Sequence, residues 1–296
     1  MHLAIYGRPS PHNLSEEVKN LFAQLDKLNT QYIIHEAFCS YLRQAVPLSA
    51  EVKTFKDELP NDSADYLISL GGDGTLLETI PFVARQQVPV IGINTGKLGF
   101  LSCVPKDNFL PAIIALKEKK FTLQNRSLLH LETPEGLFGK NPYALNELCL
   151  QRNDSSTMIT IHAYLNGKLL NSYWADGLII ATPTGSTAYS LSCGGPILLP
   201  DSTNFVITPV SPHNLNVRPV IIPDHYKIKL RAEGRSPSFI ATLDSRMEMI
   251  ESRVELNISK AQFGIKLIQL QEQSFLQTLR NKLHWGKDVR NEPEQP

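Results

Sequence analysis

A glycine-rich turn between a short apolar run and a helix-like segment is the feature that most constrains the fold of this chain. The run Tyr66–Leu70 is short and β-prone, which predicts a buried strand. Gly71, Gly72 and Gly74 then permit a tight turn whose backbone N–H groups can approach a bound anion. The next residues, Thr75–Glu78, have the spacing of a capping box and predict a helix that begins there.

One carboxylate, Asp73, lies at the tip of this turn. An acid placed where phosphate should bind is electrostatically unfavourable unless it binds a metal or accepts a proton, so the pattern favours phosphoryl transfer. The alternative is an ordinary turn, because Asp favours turns through local hydrogen bonds. The dinucleotide fingerprint G-x-G-x-x-G and a true P-loop are absent: the nearest match, Gly92–Lys97, is one residue short, and Leu98 occupies the Ser/Thr position.

Size and composition narrow the class of protein. The 296 residues suffice for two domains or one large one. Lys plus Arg equals Asp plus Glu at 29 each, so no net charge favours nucleic acid or an anionic membrane. The first residues are too short and too lightly charged for a signal peptide, and no apolar run approaches the ~20 residues that span a bilayer. We therefore expect neither nucleic-acid nor membrane partners.

Cysteine usage indicates a reducing compartment. Four cysteines lie far apart in the sequence, without a C-x-x-C pair, which favours neither a zinc site nor a disulfide framework. They are Cys39, Cys103, Cys149 and Cys193. Free thiols in the cytoplasm are the expectation, and the predicted location is cytoplasmic.

Residues 1–120 alternate between strand-like and helix-like patterns. Strands are predicted at 2–7, 32–35, 66–70 and 88–94, and helices at 15–28, 75–86 and 107–119. Pro81 is expected to kink or restart the helical pattern at 75–86, because it lacks a backbone donor. Such alternation predicts a doubly wound, Rossmann-like α/β sheet. Ligands bind at the carboxyl ends of strands in these sheets, where Asp73 and Asn94–Lys97 would lie.

From about Phe121 the pattern becomes all-β, which predicts a second, β-sandwich-like domain. Strands are predicted at 121–132, 143–151, 158–165, 168–174, 177–182, 204–209, 219–222, 226–232, 238–243, 253–258 and 263–270. Asn166-Gly167 predicts a type I′ hairpin. Ser274–Trp285 predicts a final amphipathic helix, and the polar end 290–296 is expected to fray. The predicted domains are 1–120, joined by the C-terminal segment 272–296, and 121–271.

A second constellation follows the predicted strand at 178–182. Residues 176–197 are rich in hydroxyl side chains and small residues and contain one aromatic residue, Tyr189. Such a loop can offer backbone amides and hydroxyls to a polar ligand, and a flat face to a base or ring. An ordinary Ser/Thr/Gly loop is the alternative, with Asp176 as a plain turn acid. The length and density of the pattern favour a ligand-binding loop.

These motifs together resemble a known family. Gly71–Thr75, Asn146-Glu147, the block Asp176–Pro196, Pro209–His213 and Arg218-Pro219 occur in the same order as in bacterial-type NAD kinases. The resemblance covers roughly residues 66 to 246. It implies a Rossmann-like N-terminal domain, a C-terminal β-sandwich domain, a final segment that returns to the first domain, and a homo-oligomer, dimer or tetramer. It also implies that ATP, or polyphosphate, donates a phosphoryl group (the γ-phosphate of ATP) to the adenosine-ribose 2′-hydroxyl of NAD.

The resemblance also implies roles for particular positions. Asp73 matches the family's proposed general base and Gly74 the amide beside it; Asn146 and Glu147 match the pair that contacts adenosine, with Glu147 at the ribose hydroxyls. Asp176 matches the acid at the nicotinamide end. The dinucleotide-binding loop is matched by Thr184, Thr187, Ala188, Tyr189, Ser190, Leu191 and Ser192, with Trp174 and Ser211 as weaker matches.

Three positions depart from the family pattern. Glu78 stands where many members have a basic residue or histidine, Trp174 replaces a basic or small residue, and Arg246 ends a motif that commonly ends in glutamine. These departures concern the rim of the site, where phosphates and nicotinamide are held. The implied chemistry is coherent: a carboxylate accepts the proton of a weak sugar nucleophile. Mg²⁺ or another divalent cation is expected to bind mainly through substrate phosphates, so no metal-ligating residues are predicted.

Two rival functions remain at this point. A lipid kinase of the diacylglycerol or sphingosine type shares the glycine-rich turn, but it requires an apolar cleft, which the polar stretch 184–192 does not favour. A non-catalytic NAD-binding sensor would not need both Asp73 and Glu147.

Overall fold

Short apolar runs near the N-terminus form parallel strands, in a computed structural model that describes residues 1–9, 16–96, 99–153, 157–270 and 274–284, the side chain of Glu17 excepted. The strands are β1 (His2–Gly7), β2 (Gln31–His35), β3 (Thr54–Phe55), β4 (Tyr66–Leu70), β5 (Val90–Asn94) and β6 (Val104–Pro105). The order β3-β2-β1-β4-β5 is parallel throughout. Every residue of β5 is buried, as expected of a parallel strand covered on both faces.

Helices accompany these strands. They are α1 (Glu16–Lys27), α2 (Glu36–Leu42), α3 (Asp73–Leu77), α4 (Ile80–Val83) and α5 (Phe109–Lys117). The core contains fully buried residues from both kinds of element, including Leu3, Phe22, Ile68 and Ile113. The chain divides into two units, of which the first comprises residues 1–124 and 266–296.

The second unit, residues 125–265, contains two antiparallel sheets. Its strands are β7 (Phe121–Thr133), β8 (Tyr143–Ala144), β9 (Glu147–Arg152), β10 (Ile159–Leu165), β11 (Lys168–Ala175), β12 (Gly177–Ala181), β13 (Asn204–Val210), β14 (Val220–Pro223), β15 (Ile228–Glu233), β16 (Ser238–Leu243), β17 (Arg246–Glu251) and β18 (Glu255–Leu270). Two of these strands, β7 and β18, begin or end in the first unit. A short helix, α6 (Tyr189–Ser192), follows β12, and α7 (Phe275–Leu283) follows β18.

One sheet has the order β11-β10-β15-β18 and the other the order β14-β13-β12-β9-β16-β17. Buried residues from both sheets share one apolar core: Ile161 and Tyr173 come from the first sheet, and Ile180, Phe205 and Phe239 from the second. This is the sheet-on-sheet packing of a β-sandwich. The predicted fold class, an α/β N-terminal domain with an all-β C-terminal domain, is confirmed.

Most predicted elements are present, and the hairpin at Asn166-Gly167 has the positive φ values, 48° and 80°, that a type I′ turn requires. Five of the elements named above were missed: α2, β3, β6, α6 and β17. The strands predicted at 253–258 and 263–270 are one continuous strand, β18. Trp285 and residues 290–296 of the predicted C-terminal segment lie outside the described residues, as does Ser15 at the start of the predicted first helix.

The predicted helix at 75–86 is wrong at its start. Helix α3 begins at Asp73 with Gly72 as its N-cap and no side-chain cap, so Thr75 lies inside the helix rather than capping it. The helical pattern stops after Leu77 and restarts as α4, whose first turn contains Pro81, as expected for a residue without an N–H.

Candidate active site

Gly71 makes the turn after β4 possible. Its φ is +151°, and a Cβ at this position would lie 2.3 Å from Oγ1 of Thr75. A side chain here would therefore collide with α3. The chain reverses at once and brings Asp73 to the first position of the helix.

The carboxylate of Asp73 is bound by the loop that follows β5. Its Oδ1 accepts the backbone N–H groups of Leu101 at 3.0 Å and Ser102 at 2.8 Å, and its Oδ2 accepts that of Phe100 at 2.8 Å. Gly99 makes this approach possible, because a Cβ there would lie 1.8 Å from Oδ1. An ionised carboxylate offers about four acceptor sites, so these bonds fix its orientation and still leave Oδ2 able to accept one more proton donor.

An ion pair lies beside the same turn. Arg8, just after β1, donates from Nε to Oε2 of Glu78 and from Nη2 to Oε1, both at 2.6 Å. The hydroxyl of Tyr6 donates to Oε2 at 2.7 Å. Burial and the hydrogen bond to Glu78 raise the pKa of Tyr6, and the bond to Glu78 raises the pKa of Arg8. Glu78 therefore binds the cationic guanidinium of Arg8, at a position where many family members have a basic residue or histidine.

Asn94 closes the turn at the end of β5. Its Oδ1 accepts the backbone N–H of Gly96 at 2.7 Å, and its Nδ2 donates to the carbonyl of Ser102 at 3.4 Å. Asn94 thus braces the loop that binds Asp73. Lys97, predicted at this edge of the sheet, lies outside the described residues.

In the second unit, a buried acid organises the residues around Asn146. Asp244, at the tip of the β16–β17 hairpin with φ 53°, accepts the backbone N–H groups of Leu145 at 2.8 Å, Asn146 at 2.8 Å and Glu147 at 3.2 Å. Burial raises the pKa of Asp244, and the three N–H donors oppose that shift. Asp244 was not among the predicted site residues, although an acid at a hairpin tip between two apolar strands was a visible signal in the sequence.

Glu147 is the buried acid with spare hydrogen-bonding capacity. Among the residues that the structure describes, its Oε2 is buried and has no hydrogen-bond partner. Burial, together with the nearby Asp244 carboxylate, raises the pKa of Glu147 to about 8, and a hydrogen bond from the backbone N–H of Tyr189 opposes that shift. A buried acceptor without a partner costs free energy, so a ligand that donates a hydrogen bond to this oxygen would recover that cost.

The loop after β12 packs closely against the Asn146 backbone. A Cβ at Gly185 would lie 2.1 Å from the carbonyl oxygen of Asn146. The hydroxyl of Thr182 donates to the carbonyl of Leu145 and accepts the N–H of Gly185 at 3.1 Å. Ser186 donates to the carbonyl of Pro183 at 2.7 Å. These buried hydroxyls fix the loop, so its small residues are needed for packing.

The predicted dinucleotide loop lies here, and its side chains differ in availability. Thr187 donates to the carbonyl of Thr184 at 3.1 Å, and Thr184 accepts from Arg126 at 3.4 Å. Ser190 is fully buried and its hydroxyl pairs with that of Thr208 at 2.8 Å. Tyr189 and Ser192 are exposed, while Ala188 and Leu191 are half-buried. Burial and the neighbouring cysteines Cys193 and Cys149 raise the pKa of Tyr189.

Asp176, Trp174 and Ser211 lie at the end of β11 and near β13. Asp176 pairs with Arg152, whose Nε lies 3.1 Å from Oδ1. Trp174 is exposed and lies against the ring of His213, with 4.1 Å between ring centroids and an angle of 44° between the ring planes. The backbone N–H of His213 also donates to the carbonyl of Trp174 at 2.9 Å. Ser211 is exposed and has a left-handed φ of 45°.

Arg246, the third departure from the family pattern, contacts residues of the 138–143 segment. Its guanidinium donates to the carbonyls of Asn141 and Tyr143 and lies over the ring of Phe138. Burial lowers its pKa, and the charge of Asp244 opposes that shift. Arg246 therefore ties the 138–143 segment to the hairpin that carries Asp244.

Metal and membrane features are absent from the part of the chain that the structure describes. No group of three or more His, Cys, Asp or Glu residues within it could hold a metal ion. No described helix is both long and apolar enough to cross a membrane.

Comparison with known proteins identifies the family. Residues 9–121 match the ATP-NAD kinase N-terminal domain, and residues 145–270 match the ATP-NAD kinase C-terminal domain. The NAD kinase of Cytophaga hutchinsonii is 45% identical over 292 residues, which are 98% of this chain and 100% of that protein. The NAD kinase of Bacteroides fragilis is 41% identical over 290 residues, with the same two coverages of 98% and 100%.

Two solved structures share the fold. Yeast NADH kinase complexed with NADH has a TM-score of 0.83 at 21% identity, covering 99% of this chain and 89% of that one. An NAD kinase from Archaeoglobus fulgidus in complex with ATP has a TM-score of 0.72 at 23% identity, covering 96% and 99%. With both family models matched in sequence order and full-length relatives above 40% identity, this chain belongs to the NAD kinase family.

Proposed function

We propose that this NAD kinase transfers the γ-phosphate of ATP to the 2′-hydroxyl of the adenosine ribose of NAD, giving NADP. We propose ATP and not polyphosphate as the donor, because both matched family models are those of ATP-NAD kinases. The Archaeoglobus fulgidus protein of the same fold was crystallised with ATP, and the yeast protein with NADH. NAD and ATP are therefore the expected partners.

One observation carries this proposal: the buried Oε2 of Glu147 has no hydrogen-bond partner among the described residues. This oxygen lacks a hydrogen-bond donor, and the two hydroxyl groups of a ribose can each provide one. When Glu147 is ionised, above its raised pKa of about 8 or once the ribose displaces its proton, this hydrogen bond is charge-assisted and stronger than a neutral one. Asn146 lies beside it with its backbone fixed by Asp244, so both residues can be pre-oriented for adenosine.

Asp73 is proposed as the general base. The proton of the ribose 2′-hydroxyl passes to Oδ2 of Asp73 while the oxygen forms its bond to the γ-phosphorus, and the bond from that phosphorus to the β-phosphate bridging oxygen breaks to release ADP. Three N–H donors hold the carboxylate, so it needs no reorientation at the moment of transfer. The Gly74 amide is proposed to contact the acceptor or donor phosphates beside it.

The remaining predicted residues are proposed to bind the dinucleotide. Tyr189 is exposed and offers its ring face to a base. The buried Ser190 hydroxyl is engaged with Thr208 and the Ser190 carbonyl accepts from Cys193 and Gly195, so a contact from Ser190 is proposed through its backbone N–H. Asp176 is proposed at the nicotinamide end, where its pairing with Arg152 fixes the carboxylate. The backbone and side chains of Thr184, Thr187, Ala188, Leu191 and Ser192, with Trp174 and Ser211 at the rim, complete the proposed contacts.

A divalent cation such as Mg²⁺ is proposed to enter with ATP as part of the substrate. The described residues form no metal cage of their own, and Mg²⁺ bound through nucleotide phosphates needs only one or two protein carboxylates. A homo-oligomer and a cytoplasmic location are part of the same proposal, and the four free thiols favour a reducing compartment.

The test is NADP formation by the purified protein. It is incubated with NAD, ATP and MgCl₂, and the product is measured with an NADP-specific dehydrogenase, which responds only to 2′-phosphorylated dinucleotide. Diacylglycerol and sphingosine replace NAD in parallel reactions. NADP without lipid phosphorylation supports the proposal. Lipid phosphate without NADP would support a lipid kinase, and NAD binding without turnover would support a sensor.

A further inference from the structure

We infer that Arg8 is a further phosphate-positioning residue of the reaction, held by Glu78 so that its guanidinium receives the phosphate chain of the donor beside the Gly71–Gly74 turn. This inference rests on the proposed function. It concerns a residue directly after β1, outside the motifs that resemble the NAD kinase family.

The geometry fixes the guanidinium in one plane. Arg8 uses Nε and Nη2 to bind both oxygens of Glu78 at 2.6 Å, the fork geometry of a bidentate pair. Tyr6 donates to the same carboxylate at 2.7 Å and so fixes Glu78 from the other side. A long surface side chain is thereby held without being buried, since Arg8 remains 51% exposed.

The free edge of the guanidinium lies over the glycine turn. A Cβ placed on Gly74 would lie 3.8 Å from Nη2 and 4.0 Å from Nη1 of Arg8, and Nη2 lies 3.5 Å from the Gly74 carbonyl. Because Gly74 has no side chain, this edge is open toward the turn. Nη1 makes no hydrogen bond with any residue in the described ranges, so it retains two N–H donors.

A stabilising role is an incomplete explanation for this arrangement. Most exposed ion pairs contribute little to stability; a bidentate pair such as this one can contribute more, but it uses only Nε and Nη2 of Arg8 and does not involve Nη1. A planar guanidinium is well matched to phosphate oxygens, and phosphoryl transfer depends on neutralising charge at the transferred group. The acceptor diphosphate carries less charge than a triphosphate and is not the transferred group, so we assign Arg8 to the donor. Arg8, held by Glu78, then supplies the positive charge that a basic residue at position 78 would have supplied.

The experiment compares steady-state NADP formation by wild type, Arg8→Ala and Arg8→Lys. The matched control is Arg85→Ala, which removes another exposed arginine of the same unit, 3.7 Å from Glu58. Arg8→Ala should raise KM for ATP about tenfold or more, since charge-assisted bonds are lost, while KM for NAD and the melting temperature stay close to those of Arg85→Ala. Arg8→Lys keeps the charge without the fork and should give an intermediate KM for ATP.

A second measurement isolates the phosphate chain. Inorganic tripolyphosphate should bind the wild-type protein in calorimetry and bind Arg8→Ala at least about tenfold more weakly. An unchanged KM for ATP, equal tripolyphosphate binding, or a parallel rise in both KM values with a lower melting temperature would each overturn the assignment. If the wild type forms no NADP, the proposed function fails, and the tripolyphosphate comparison still decides whether Arg8 binds phosphate.

Discussion

The backbone N–H of Asn146 donates to the buried carboxylate of Asp244 at 2.8 Å, across 98 positions of sequence. The same carboxylate also binds the N–H groups of Leu145 and Glu147. The tip of one hairpin thus holds the turn that begins β9, and this leaves the Glu147 side chain buried beside an acid. The unusual protonation of Glu147 follows from this arrangement, and two of the predictions below depend on it.

Replacing Glu147 with Gln should weaken NAD binding more than tenfold. The amide has one acceptor oxygen where the ionised carboxylate has two, and a hydrogen bond to a charged group contributes roughly 1.5–3 kcal/mol. Calorimetric titration with NAD at about pH 9, above the raised pKa of about 8 at which Glu147 ionises in the free protein, measures the change. The matched control is Glu255→Gln, an exposed acid of the same unit that pairs with Lys229. NAD affinity equal to that of the control would remove Glu147 from the site.

The stability of the free protein should fall as pH rises, in part because of Glu147. Its pKa is raised from 4.5 to about 8 in the folded chain, so between these values the folded state holds a proton that the unfolded state releases. The resulting stabilisation is full below pH 4.5 and lost as pH rises through 8. Each pKa unit corresponds to roughly 1.4 kcal/mol.

Thermal melting of wild type and Glu147→Gln from pH 4 to pH 9 tests this linkage. Because Gln cannot ionise, the variant should gain stability relative to wild type as pH rises, with most of the gain complete near the pKa of about 8. A difference in melting temperature that stays constant over the whole range would show that Glu147 titrates normally.

Tyr189→Ala should weaken NAD binding several-fold with a small change in melting temperature. The ring is 40% exposed, which argues against a core role, and a stacking contact contributes about 0.5–1.5 kcal/mol beyond buried area. ATP affinity should change less than NAD affinity. Equal losses for both substrates, together with a large drop in melting temperature, would mean that Tyr189 serves packing.

Its neighbour Ser190 provides the contrast. Ser190→Ala leaves the buried Thr208 hydroxyl without its partner, so the free energy of unfolding should fall by about 1–3 kcal/mol. Denaturant unfolding of both variants measures the difference. A larger loss of stability in Tyr189→Ala than in Ser190→Ala would contradict both assignments.

The sequence predicted local structure well and long-range contacts poorly. The strand Tyr66–Leu70 and the hairpin at Asn166-Gly167 follow from nearby residues, and both are present. The capping box at Thr75–Glu78 predicted the wrong helix start. Helix α3 begins after Gly72, where Asp73 binds the backbone amides that follow Gly99. Strand β17 was missed because Met247 and Met249 are exposed, so its apolar residues do not mark a buried face.

Contacts within the site depend on residues far apart in sequence. Arg8 meets Glu78 over 70 positions, and Ser102 meets Asp73 over 29. Neither pairing leaves a spacing pattern in one sequence, because both follow from the order of strands in the sheet. Glu78 and Arg246 look like departures from the family pattern until these partners are known, and both then have a clear structural environment.

Asp73→Asn should affect both the chemistry and the loop that binds the carboxylate. An amide cannot accept all three N–H bonds, so the variant should loosen the loop at 99–102 as well as remove a base. A control that loosens the same loop and leaves the carboxylate untouched is Asn94→Ala, which removes the hydrogen bonds to the N–H of Gly96 and the carbonyl of Ser102. Comparing the two variants separates base catalysis from loop positioning.

The most direct test is the single-turnover rate of NADP formation at saturating NAD and ATP for wild type, Asp73→Asn and Asn94→Ala. If Asp73 is the general base, Asp73→Asn should be slower than wild type by roughly 10²–10⁴, and Asn94→Ala should be much less impaired. NAD affinity, measured in parallel, should remain close to wild type in Asp73→Asn. A wild-type rate in Asp73→Asn, or equal losses in both variants, would contradict the assignment of Asp73 as the base.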